Sequence, residues 1–123
     1  MTQRIVVVED DPHVRGMLGM LLEALGYAPT MTADIASGAA AVAEATPYAV
    51  LCDVHLRHED GLSLAESIRA AHRDLRIVVM TGVATMSDVG PRVAAIAATL
   101  LHKPFEPAEL VAAIELGRSS DPR

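Results

Sequence analysis

Aromatic residues are almost absent: the 123-residue chain has no tryptophan, one phenylalanine and two tyrosines. Its core must therefore be built from Val, Leu, Ile, Met and alanine, and a 51% hydrophobic content is too high for a disordered chain. A single cysteine, Cys52, excludes an internal disulfide and suits a reducing compartment. No segment approaches the ~18–20 apolar residues of a membrane span. The apolar run near the amino terminus, Ile5 to Val8, is too short for a signal peptide. Positive charge is also scarce, and the net charge of −6 argues against a direct grip on nucleic-acid phosphates or anionic lipid. These absences leave one ordinary domain, expected to be cytoplasmic, with neither nucleic acid nor membrane as a partner.

What is present is an alternation. Strand-like runs occupy Arg4–Val8, Ala28–Thr32, Ala49–Cys52, Arg76–Met80 and Thr99–His102. The first, third and fourth are continuous apolar runs rich in valine, as expected of strands covered on both faces. Between them lie stretches with helical spacing. The clearest is the stripe Val14, Met17, Leu18, Leu21, Leu22 and Leu25, which stops at Gly26. Further helices are expected from Ile35 to Ala45, Leu62 to His72, Asp88 to Ala98 and Pro107 to Leu116, the last opening with proline at the first helical position. Five strand–helix alternations with short connections predict an α/β fold with a parallel sheet and right-handed crossovers. A short polar tail, GRSSDPR, closes the chain.

The stretch RIVVVEDDP carries an apolar strand straight into Glu9, Asp10 and Asp11. Three adjacent carboxylates repel one another, and burial raises the cost of ionising them. Either a helix N-terminus attracts the negative charge, or a cation does. In an open parallel sheet the ligand site lies beyond the carboxyl ends of the strands. There Glu9 and Asp10 meet Asp53, Thr81 and Lys103, each at a strand end. Lys103 is the only lysine, against nine arginines. A compact ammonium group at that edge suits an anionic phosphoryl oxygen.

These residues carry a resemblance. VVVEDDP, VLCDVHL with DGLSL, VVMTG and LLHKPFEPAEL, in this order, resemble the four motifs of the response-regulator receiver domain of two-component signalling. The resemblance covers residues 1–118, leaving 119–123 as tail, and implies a flavodoxin-like, doubly wound five-stranded parallel sheet of order 2-1-3-4-5 with five helices. It further implies that Asp53 accepts a phosphoryl group in a Mg²⁺-dependent reaction. The metal would be held by Glu9, Asp10, Asp53 and the backbone carbonyl of His55, while Thr81 and Lys103 bind phosphoryl oxygens. Asp11 is left to cap the first helix beside Pro12. The implied donor is a histidine kinase or histidine phosphotransfer protein, and output passes to a protein effector. Such a protein catalyses only its own phosphorylation and dephosphorylation, so it is a switch and not a metabolic enzyme. Met1 and the short tail read as a stand-alone protein.

Less specific readings compete at several positions. Asp53 could be a strand-end turn residue, Thr81 a cap and Lys103 a solvated side chain. Cys52, beside the acceptor, reads as a small core residue, since adjacent strand side chains point to opposite faces. His55 and His58 in DVHLRHED lack the further ligands that zinc requires. The chain departs from the family pattern at Arg57, where proline is common, and at Leu100, where an aromatic switch residue is usual. The resemblance implies a cis Lys103–Pro104 peptide. It also puts His55 and Val83 beside the path of hydrolytic water. With Leu100 in the aromatic's place, the conformational response is expected in the loop Val83–Gly90 and a helix beginning near Pro91, hinged at Gly90. A phosphorylation-independent interaction module and a small magnesium-dependent phosphohydrolase remain the alternatives, the latter lacking an acid for leaving-group protonation.

Overall fold

The computed structural model describes residues 2–82 and 86–116, except for the side chains of residues 86–88. In chain order the elements are β1 (Arg4–Val8), α1 (Pro12–Ala24), β2 (Ala28–Thr32), α2 (Ile35–Glu44), β3 (Ala49–Asp53), β4 (His55–Leu56), β5 (Glu59–Asp60), α3 (Gly61–Ala71), β6 (Arg76–Thr81), α4 (Met86–Ala95), β7 (Thr99–His102) and α5 (Pro107–Leu116). The main sheet is parallel throughout, in the order β2-β1-β3-β6-β7. Counting only its own five strands, that is 2-1-3-4-5, the flavodoxin-like order. The short β4 and β5 form a separate antiparallel ribbon.

The valine runs explain the layering. Successive side chains on a strand face opposite sides, so Val6, Val8, Val50, Cys52, Ile77 and Val79 join one core. Their neighbours Ile5, Val7, Ala49, Leu51, Val78 and Met80 join the other. The first core is roofed by α2, α3 and α4, the second by α1 and α5. The absence of a side chain at Gly38 has a packing role in α2: an added Cβ would stand 2.7 Å from Val8 Cγ2, so glycine lets this helix lie close on β1. Arg4 closes the end of α2 by donating to the Ala41 and Ala45 carbonyls.

Helix ends follow local chemistry. Asp11 caps α1 by accepting from His13 and Val14 N–H, with Pro12 in the first turn. At the other end Gly26 takes φ +95°, and Tyr27 N–H reaches back to the Leu22 carbonyl. The helix expected over Asp88–Ala98 instead runs Met86–Ala95. Gly90 and Pro91 lie inside it, so the expected hinge before a helix beginning near Pro91 is not what forms. Val89 and Val93 are buried one turn apart, and their packing overrides the local breakers. Ala97 ends the turn at φ 53°, with Ala98 N–H bonded to the Val93 carbonyl. This is the glycine-type ending made without glycine. The Lys103–Pro104 peptide is cis, as the resemblance implies. Val83, the start of the loop Val83–Gly90 and the tail 119–123 lie outside the described residues.

Candidate functional site

The strand ends assemble the site. Asp53 is the last residue of β3 and Thr81 the last of β6, each one residue beyond the strand that the sequence predicts. Glu9 follows β1 and extends its ladder by donating its N–H to the Thr32 carbonyl at 3.0 Å. Lys103 follows β7, its N–H bonded to the Thr81 carbonyl at 2.8 Å. Thr81, Glu9 and Asp53 are buried, at 0%, 2% and 4% exposure, although all three are polar.

All five expected side chains reach this one edge. Carboxylate oxygens of Glu9, Asp10 and Asp53 lie within 4.8 Å of one another, the one such group among the described residues. His55 and His58 do not join it. Lys103 Nζ stands 2.8 Å from Asp53 Oδ2 and 3.1 Å from Glu9 Oε1. Burial works against that ammonium, but Asp53 and Glu9 outweigh it and hold the Lys103 pKa above the ordinary lysine value. Burial, with the Asp53 carboxylate alongside, pushes Glu9 up to about 7. The Asp11 N–H and Lys103 pull the other way without prevailing. One cation does not satisfy three acids. Thr81 Oγ1 donates to the Gly82 carbonyl at 3.1 Å.

Several positioning contacts have no plain mark in the sequence. Arg15 Nη1 donates to the Glu9 carbonyl at 2.9 Å and the Asp10 carbonyl at 3.2 Å, fixing the acidic loop from α1. The His55 N–H donates to Asp53 Oδ1 at 3.0 Å, and the Arg57 N–H to Asp10 Oδ2 at 2.5 Å. Gly61 packs so closely that an added Cβ would lie 1.8 Å from the Asp53 carbonyl oxygen. Only glycine lets α3 start there. Cys52 is fully buried, with Sγ directed at the Gly61 and Asp53 carbonyls. Burial pushes its thiol up to about 12, which removes it from thiolate chemistry.

The surroundings of the site are uneven. A largely apolar groove of about 580 Å³ lies between α1 and the Lys103–Phe105 segment, lined by Val14, Met17, Leu18 and Leu21. Met17 and Met20 on α1 are 60% and 74% exposed. No helix among the described residues is long and apolar enough to cross a membrane.

Comparison with known proteins agrees with this geometry. The model of the response regulator receiver domain matches residues 5–115. The DNA-binding response regulator MtrA of Mycolicibacterium smegmatis is 34% identical over 98% of this chain and 54% of its own length. The transcriptional regulatory protein FixJ of Azorhizobium caulinodans is 34% identical over 94% of this chain and 56% of its own. The chain thus spans about half the length of these curated relatives. Among solved structures, a putative response regulator from Chloroflexus aurantiacus aligns with TM-score 0.85 and 29% identity, over 95% of this chain and 98% of that one.

Proposed function

The chain belongs to the response regulator receiver family, and from that premise we propose that it is a phosphorylation-dependent signalling switch with Asp53 as phosphoryl acceptor. The donor is a histidine kinase or histidine phosphotransfer protein, the output a protein effector, and the setting the cytoplasm. The single observation that carries this reading is Asp53 itself: a buried carboxylate at a strand end, paired with the only lysine at 2.8 Å and facing two further acids.

The donor set fits Mg²⁺, which prefers oxygen ligands and keeps several waters. Glu9, Asp10, Asp53 and the His55 carbonyl would hold it. Bound there, Mg²⁺ supplies the positive charge that lets a phosphoryl group approach three carboxylates. The chain's own residues do the rest. An Asp53 oxygen attacks phosphorus as the donor's N–P bond breaks. The imidazole leaves with that electron pair and takes up a proton, and Asp53 becomes an acyl phosphate. Lys103 then shifts its ammonium from Asp53 to a phosphoryl oxygen, and the Thr81 hydroxyl donates to another.

A protein donor must bring its phosphorus to this edge. The groove beside α1 includes Lys103, so it is continuous with the site, and it is the surface we assign to the donor. Met17→Glu should slow transfer from a phosphorylated protein donor about 10-fold or more, equivalent to about 1.4 kcal/mol. Phosphorylation by acetyl phosphate should be unchanged; equal slowing of both would place the effect in the fold or chemistry instead.

The central experiment is incubation with acetyl phosphate and Mg²⁺, read by intact mass. Wild type should gain one phosphoryl group, chelation should suppress the gain, and Asp53→Asn should abolish it. An adduct of equal yield on Asp53→Asn would overturn the assignment. Leu100 favours a second reading, an interaction module insensitive to phosphate, because it has no hydroxyl with which to exchange partners. Absence of any adduct would support that module, and turnover without an adduct would support a phosphohydrolase.

A further inference from the structure

Three carboxylates define the acidic edge: Glu9 and Asp53 share the Lys103 ammonium, and Asp10 receives a separate donor. Glu9 accepts from Lys103 and from the Asp11 N–H, Asp53 from Lys103 and the His55 N–H, and Asp10 from the Arg57 N–H. We propose that the backbone N–H of Arg57 is a positioning group for Asp10 that sets this chain's affinity for Mg²⁺. This rests on the reading of the acidic edge as a Mg²⁺ site.

The question is which partner holds the other. Arg57 lies at the tip of the ribbon formed by β4 and β5, and that ribbon is anchored independently of Asp10. At its start the His55 N–H is bonded to Asp53. At its end, Glu59 Oε1 accepts from the Ile35 N–H at 3.0 Å, at the head of α2. Asp60 Oδ1 accepts from the Leu62 N–H at 3.0 Å, capping α3, and Asp60 Oδ2 accepts from Arg92 on α4 at 3.2 Å. Three helices and the acceptor strand thus fix the ribbon, so the Arg57 N–H is a stationary donor and Asp10 is the group it orients. Arg15 secures the Asp10 backbone, which leaves the side-chain torsions as the freedom that the Arg57 bond removes. With Oδ2 held, Oδ1 remains for a cation. Carboxylate ligands are characteristically oriented by such a hydrogen bond, and its loss typically costs about 10- to 100-fold in metal affinity or activity.

The donor is a main-chain group, so the discriminating pair is Arg57→Ala, which keeps the N–H, and Arg57→Pro, which removes it. The backbone of the turn does not exclude proline, but its Cδ replaces the hydrogen on a nitrogen 2.5 Å from Asp10 Oδ2, so the ring displaces that carboxylate as well as removing the donor. The turn joins Leu56 to Glu59 through two residues, and Ala97 is the one non-glycine residue with positive φ among those described. With His58 not at positive φ the turn is not type II, and proline is favoured at the first central position of a type I turn. Mg²⁺ binding to the full chain is measured by titration calorimetry, without any phosphodonor. Wild type and Arg57→Ala should bind alike, and Arg57→Pro about 10-fold more weakly. Equal or tighter binding by Arg57→Pro, or equal weakening by Arg57→Ala, overturns the inference while leaving the Mg²⁺ site standing. If wild type binds no Mg²⁺, the underlying reading fails and the inference with it. Because the ring also presses on Asp10, and in case Arg57→Pro does not fold, amide hydrogen exchange on wild type decides. The Arg57 N–H should stay protected at saturating Mg²⁺; loss of protection would mean that the cation displaces this bond, and that Arg57 competes for Asp10 instead of positioning it.

Discussion

Individual residues in this chain are constrained by distances that their chemistry alone does not reveal. Gly61 is the clearest case. At the first position of α3, alanine should help, since it is the better helix former by about 1 kcal/mol. The Asp53 carbonyl oxygen 1.8 Å from the added Cβ reverses that expectation. Either α3 or the end of β3 must move, and overpacking of this kind costs about 1–3 kcal/mol. Gly61→Ala should lower stability to denaturant and slow phosphorylation from acetyl phosphate, because the displaced backbone carries the acceptor. A stabilised variant with unchanged phosphorylation would show that the contact relaxes freely. Cys52, one residue from Asp53, is equally constrained but chemically silent, because burial keeps it a thiol.

At the scale of elements, legibility in the sequence depended on whether a boundary is encoded by side-chain type. The valine runs of β1, β3 and β6 and the end of α1 at Gly26 are written in residue type. The end of α4 is not, because Ala97 adopts the turn that glycine normally takes. The ribbon of β4 and β5 has only two residues per strand, too few for any period to show. Glu9, Asp10, Asp53, Thr81 and Lys103 could be read because strand ends converge. Arg15 and Arg57 could not, since one acts through a long reach and the other through its backbone. Arg92 belongs with them: it forks onto Glu66 at 2.8 and 3.0 Å and reaches Asp60, tying α4 to α3. These side chains are 38–45% exposed, so solvent screens the network and it contributes little to global stability. Arg92→Ala should therefore speed amide exchange across residues 89–96 while barely moving the denaturation midpoint. Uniform acceleration over the chain would count against a local clamp. At the opposite end of the sheet, Tyr48 and Tyr27 donate to Glu115 at 2.5 and 2.7 Å and fasten α5. Those bonds, Tyr48's first, hold the Glu115 carboxyl below its usual 4.5. Burial, then Glu115, raises the Tyr27 phenol above its usual 10. The lowered acid contributes stability that is present above pH 4.5 and lost as pH falls through its folded value. The raised phenol contributes stability that is present below pH 10 and lost as pH rises through its folded value. Tyr27→Phe should cost about 1 kcal/mol in the window between, given the exposed acceptor. That difference should shrink at both extremes; a difference that does not vary with pH would assign the loss to packing.

Over the whole molecule, the fold concentrates opposing demands at one edge. A chain of net charge −6 with a single lysine converges three carboxylates at the ends of its central strands and buries two of them. The apolar faces on both sides of the sheet stabilise the domain, and the acidic edge opposes them until a cation or a phosphoryl–cation pair arrives. Asp10 tests this balance because it touches neither Lys103 nor the core. Asp10→Asn removes one negative charge, yet its side-chain oxygen still accepts from the Arg57 N–H. Unit charges with oxygens within 4.8 Å of one another repel by several kcal/mol at an effective dielectric near 20. Asp10 is half-buried and solvent-screened, so the relief should be smaller, on the order of 1 kcal/mol or below. Without Mg²⁺, the variant should therefore unfold at higher denaturant than wild type. With Mg²⁺ the order should reverse: a ligand that binds only the folded state adds about 2.7 kcal/mol at 100 times its dissociation constant, and Asp10→Asn forfeits most of that. The measurement is denaturant unfolding of both proteins in chelator and in excess Mg²⁺. Crossing of the two orders is the expected result. A variant less stable than wild type in both conditions would show that Asp10 is a structural residue and that the edge carries no electrostatic strain.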